Sequence, residues 1–94
     1  MSKQANNNIK VLLDESKMAT SYANGFRHHA SQHEVMLDLG VSVSSQTPEG
    51  EKQMAFTISN RVVMNYPTAK RLAGMLVQII QQHEQRFGEI KLEQ

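Results

Sequence analysis

From Ile9 to Met64 the chain alternates apolar and polar positions with a period of two, the mark of half-buried strands. From Asn65 to Ile90 the period lengthens to that of a helix. Within the strand zone Met18, Thr20, Tyr22, Asn24, Phe26 and His28 share even numbers. Val35, Leu37, Leu39, Val41 and Val43 form an odd set, and Met54, Phe56, Ile58, Val62 and Met64 an even one. Directly opposed residues of an antiparallel pair lie on one face, so even and odd sets meet only across loops of even length. A loop Thr47-Pro48-Glu49-Gly50 satisfies this, with proline and glycine where a tight turn prefers them. It predicts Val43 opposite Met54, Val41 opposite Phe56, Leu39 opposite Ile58 and Val35 opposite Val62. A four-residue loop over 30–33 sets Phe26 against Leu37 and Tyr22 against Val41. Upstream, Ile9, Val11 and Leu13 pair with Tyr22, Thr20 and Met18 across 14–17.

Asn24-Gly25 competes with this scheme, because Asn-Gly is a strong hairpin signal. A reversal there would set Ala23 with Phe26 and Tyr22 with Arg27, parting the two aromatics. A strand running through keeps them on one face, and that is the reading adopted.

The helix has its own punctuation. Asn65 is a suitable N-cap, Pro67 sits in the first turn where its missing N–H does no harm, and Gly88 is a suitable stop. Ala69, Leu72, Ala73, Leu76, Ile79, Ile80, His83, Phe87 and Ile90 fall on one stripe, and Met75 and Val77 widen it. The expected fold is α+β: a four-stranded antiparallel meander with one C-terminal helix packed on one face. Residues 1–8 read as a disordered N-terminal tail and 9–94 as a single domain.

Composition narrows the function. Ninety-four residues, 39% hydrophobic and 20% charged, make one globular domain with a modest core, for which association is a natural supplement. A net charge of +1, with basic residues scattered among acidic ones, gives no electrostatic case for nucleic acid or membrane. The absence of cysteine removes disulfides, thiolate metal sites and thiol nucleophiles. No apolar run resembles a signal peptide or a membrane span, so a cytoplasmic protein is expected.

Few residues suggest chemistry. There is no G-x-S-x-G elbow and no phosphate-cradling glycine loop, and Asp14, Glu15, Asp38, Glu49 and Glu51 scatter over turns and the outer face. No enzyme, catalytic residue or cofactor is expected. His29, His33 and Glu34 approach one another at a sheet rim, but a metal needs three or four convergent ligands, and exposed loop histidines are the simpler account. His83 is expected as a hydrogen-bonded core or interface residue. Asn24 and Asn60 point inward in this register, as a polar network. The outer face carries Arg27, Met36, Asp38, Arg61 and Val63 with small alanines. Such a face is either a solvated ion-pair lattice or a surface that a partner covers, since one helix covers only one side.

The stretches "YANGFRHHASQHEVMLDLG" and "RVVMNYPTAKRLAGMLVQIIQQHEQRFGEI" resemble a small bacterial family catalogued as domain of unknown function 3467. Tyr22, Ala23, Asn24, Phe26, Asp38, Gly40, Arg61, Val62, Val63, Met64, Ala69, Lys70, Phe87, Gly88 and Ile90 carry the likeness. Asn65-Tyr66, where the family commonly has Ser-Pro, and Leu39, where it has phenylalanine, depart from it. The resemblance implies a fold and no established activity. The four-strands-then-helix order also looks like that of the export chaperone SecB, an analogy of fold alone.

The expected function is a small interaction module that forms a homo-oligomer and binds protein by edge pairing or through Arg27, Met36, Asp38, Arg61, Val63, Met75 and Val77. The alternatives are a SecB-like polypeptide-binding chaperone and a weak metal or small-ligand binder at the histidine rim.

Overall fold

The computed structural model describes residues 8–92. Its elements are β1 (Gly25–Ala30), β2 (Glu34–Gln46), β3 (Lys52–Asn65) and α1 (Tyr66–Phe87), with the strands in one antiparallel sheet of order β1-β2-β3. The fourth, N-terminal strand of the expected meander is not formed. The expected tail lies outside the described residues apart from Asn8.

The chain does not reverse at Asn24-Gly25; β1 begins there instead. Its ladder ends because a side chain takes over from the backbone. Ser42 N–H donates to Asn24 Oδ1 at 2.7 Å, and Asn24 Nδ2 donates to the Ser42 carbonyl at 3.3 Å. Those are the groups a longer β1 would need, so the ladder does not reach Tyr22, which the observed register would set opposite Val43 rather than Val41. Residues 14–17 do turn, with Ser16 N–H on the Asp14 carboxylate at 3.0 Å and Met18 N–H on the Glu15 carbonyl at 3.1 Å. The limbs flanking that turn make no ladder.

Between β1 and β2 the chain reverses across Gln32-His33, closed by Ser31 N–H donating to the Glu34 carbonyl at 2.9 Å. Parity is even, as expected, but the register slides by two, so Phe26 opposes Leu39 rather than Leu37. The β2–β3 pair slides likewise near the helix: Val35 opposes Met64, not Val62, and Leu37 opposes Val62.

Further out the expectation fails. At the hairpin tip Gly50 N–H donates to the Thr47 carbonyl at 2.9 Å and Thr47 N–H to the Glu51 carbonyl at 2.8 Å. Gly50 sits at φ 88, so the tip is the odd loop Pro48-Glu49-Gly50, a turn ending in a left-handed glycine. A bulge then follows, because Leu39 opposes Asn60 while Gly40 opposes Ile58, leaving Ser59 as an extra residue. Val41 opposes Thr57 and Val43 opposes Ala55. Met54, Phe56 and Ile58 therefore lie opposite Ser44, Ser42 and Gly40, on the face away from Val62 and Met64. The apolar set of β3 is split across the sheet.

The helix meets its expectation. Thr68 N–H donates to Asn65 Oδ1 at 2.9 Å, proline occupies the first turn, and Gly88 at φ 95 donates to the Glu84 carbonyl at 2.8 Å. Tyr66 adds a tether, its hydroxyl donating to the Ser31 carbonyl at 2.6 Å. Ala69, Leu72, Ala73 and Leu76 face Val35, Leu37 and Met64 across a cleft of about 230 Å³.

Among the described residues that contact stands in for a core. Among the described residues no apolar side chain is fully buried, and the chain exposes 8810 Å². A compact monomer of this mass exposes roughly 5,500 Å². The radius of gyration, 18.7 Å, likewise exceeds the about 12 Å of a compact domain of this length.

Candidate functional site

The face away from α1 centres on Asp38 in the middle strand, with Arg27 opposite it on β1 and Arg61 opposite it on β3. Arg27 Nε donates to Asp38 Oδ2 at 2.6 Å. Arg61 Nε reaches Oδ1 at 2.7 Å, and its terminal nitrogen reaches Oδ2 at 3.0 Å. Oδ2 is thus shared between the two guanidinium groups, while Oδ1 accepts from Arg61 alone. Asp38 is 4% exposed, shielded by its arginines rather than by an apolar core, while the arginine side chains stay largely open to solvent.

The Arg61 hydrogen bonds, and then that of Arg27, hold the Asp38 carboxyl well below the usual carboxylate range. Asp38 in return raises Arg61. With one carboxylate against two guanidiniums the cluster keeps a positive charge.

Around the cluster, the register gives Met36 and Val63 the same face, directly opposed, with His29 on the other side of Met36. Arg27, His28, His29, Met36, Asp38 and Arg61 line an open depression of about 460 Å³. The five outer-face residues singled out by the alternation are therefore brought together. Met54, Phe56 and Ile58 join them further along, and the sequence reading missed this. Gly40 lies opposite Ile58 and against the Thr57 carbonyl, and a glycine inside a strand was the available signal for the bulge.

Met75 and Val77 stand apart, on the helix and so on the opposite side of the molecule; both are exposed. Past Leu76 the stripe leaves the sheet, and Ile79, Ile80 and Phe87 are exposed as well. His83 is not in a core: it is exposed and packs on Phe87, ring centroids 4.9 Å apart. Asn60 does share the helix-side face with Val62, but it and Asn24 are exposed and form no buried network. Asn24 serves Ser42, and Asn60 accepts from the Ser59 hydroxyl at 2.9 Å. Among the described residues no three His, Asp or Glu side chains stand close enough to hold a metal ion, so His29, His33 and Glu34 form no ligand set.

Fold and site together define a class: a small α+β protein with an open three-stranded sheet, one helix and an arginine-clamped aspartate on its bare face. Residues 1–92 match the family model described as Protein of unknown function (DUF3467), and the chain belongs to that family. No curated protein and no solved structure matches it. No helix is long and apolar enough to cross a membrane, among the described residues.

Proposed function

We propose that this chain is an interaction module whose first partner is itself. The observation that supports the reading is the missing core. The single chain exposes some 3,000 Å² more than a compact monomer of its mass would. Obligate oligomers bury total areas of about 2,000–5,000 Å², and their contacts resemble a domain core cut in half. Without such burial, the apolar contact between α1 and the sheet is too small to offset the entropy of ordering the chain.

Two surfaces serve the contact. One is the exposed helix side with Met75, Val77, Ile79 and Ile80; the other is the outer sheet face with Arg27, Met36, Asp38, Arg61 and Val63. Sedimentation equilibrium on the full chain, with melting followed at several protein concentrations, tests the reading. The expected result is an oligomer at micromolar concentration whose melting temperature climbs with concentration. A monomer that melts cooperatively at a concentration-independent temperature would overturn it.

A further inference from the structure

We infer that residues 8–23 form an exchanged arm that adds as a strand to the free edge of β3 in a second copy of this chain. The inference rests on the self-association reading and specifies how two copies hold each other.

The arm has strand-like composition and, among the described residues, no backbone partner. Ile9, Val11, Leu12, Leu13, Met18 and Tyr22 are 68–88% exposed, far more than side chains of this kind tolerate as a group. Apart from the turn at 14–17, no backbone hydrogen bond ties 8–23 to the sheet, among the described residues. Its own sheet offers it no continuation, because the Asn24 amide already occupies both backbone groups of Ser42. Gly25 tightens that exit: a Cβ there would meet Ser42 Oγ at 2.6 Å and the Phe56 ring at 3.4 Å.

The acceptor is the outer edge of β3. That strand is last in the sheet order and 14 residues long, whereas the other edge strand has 6. Edge strands that stay unpaired are defended by charges, prolines or short length. Residues 53–60, "QMAFTISN", carry neither a charge nor a proline. At about 3.3 Å per residue the limb from Ile9 to Leu13 spans roughly 17 Å, well within that stretch.

A second copy fits better than a foreign peptide. Arm and edge belong to one chain, so two copies related by a two-fold axis satisfy both at once. A foreign strand on β3 would leave the arm bare. The excess surface also exceeds the about 800 Å² per partner of an ordinary interface, so a dimer has room for the arm.

The test is hydrogen exchange by mass spectrometry on the full chain, above and below the concentration at which sedimentation shows assembly. Peptides covering 9–13 and 53–58 are expected to gain protection together on assembly and lose it together on dilution. Val11→Pro removes one arm N–H and is expected to weaken assembly about tenfold or more. At concentrations where it still assembles its helical circular-dichroism signal should stay unchanged, since among the described residues no backbone hydrogen bond ties the arm to the elements of its own copy. The chain has no cysteine, so mixing Val11→Cys with Thr57→Cys variants should give a disulfide-linked heterodimer. An assembled protein whose 9–13 amides exchange at the free rate overturns the arm while leaving self-association standing, as does protection of 53–58 alone. Arm protection that survives dilution to monomer also overturns it, by placing the arm on its own copy. A wild type that never assembles removes the underlying reading instead.

Discussion

A methyl group on Gly40 would stand 2.0 Å from the Thr57 carbonyl oxygen and 2.8 Å from the Ile58 Cα. The extra residue Ser59 presses the β3 backbone toward β2 at that point, and only a residue without a side chain fits. Gly40→Ala is therefore expected to force the bulge open and destabilise the protein by about 1–3 kcal/mol, read as a lower urea midpoint. Gly74 supplies the control. It sits in α1, and a methyl group there would meet nothing within 4 Å, so Gly74→Ala should stabilise by about 0.5–1 kcal/mol.

Acid should act through Asp38. Its carboxyl is held below the unfolded value, so the unfolded chain binds the proton more readily. The stabilisation is complete above the ordinary aspartate value of about 3.9 and is lost as pH falls from there toward the folded value. Asp38→Asn should lose that stabilisation at neutral pH, through two guanidiniums left without their carboxylate. It should also flatten the slope of stability below about pH 4. Urea midpoints at pH 7, 5 and 3 for both proteins read this directly.

The helix start offers a smaller, cleaner effect. Asn65→Ala removes the acceptor of the Thr68 N–H and should cost about 1 kcal/mol, while Asn65→Ser should restore most of it. Thermal melts at one fixed protein concentration compare the two.

Assembly should respond to charges placed on either exposed side. Val77→Lys and Val63→Lys each add a charge at a half-exposed apolar position without cutting a hydrogen bond of the fold. Both are expected to lower the oligomer mass seen by light scattering. Glu49→Gln, a polar exchange at the exposed hairpin tip and outside both surfaces, should leave it unchanged.

Much of the architecture was legible because short-range chemistry decides it. Asn65, Pro67 and Gly88 bound α1 as read, and Phe26 shares a face with Leu39 because the β1–β2 turn has even length. Two local events were not legible. Whether the tip holds four residues or three depends on Gly50 reaching positive φ, which alternation does not encode. Ser59 looks like any polar strand residue until the backbone crowding at Gly40 is known. The shortening of β1 has a third cause: the Asn24 side chain took the backbone groups of Ser42, leaving 18–23 outside the sheet and no ladder for 9–13 to join. Of the candidate site, alternation put Arg27, Asp38 and Arg61 on one face, but the expected register set both arginines opposite Met36, and the slide by two brought them opposite Asp38 instead. Met54, Phe56 and Ile58 were assigned to the wrong face because the tip loop is odd, and the bulge restores the expected parity only from Asn60 onward.

That misassigned trio bears on stoichiometry. A sheet with one oily side is finished by a single cover, and growth stops at a pair. Here Val62 and Met64 turn toward the helix while Met54, Phe56 and Ile58 turn away from it. Under the proposed self-association, copies that meet through the outer face would leave the exposed side of the helix unmet, and a second two-fold contact there would close a tetramer with dihedral symmetry.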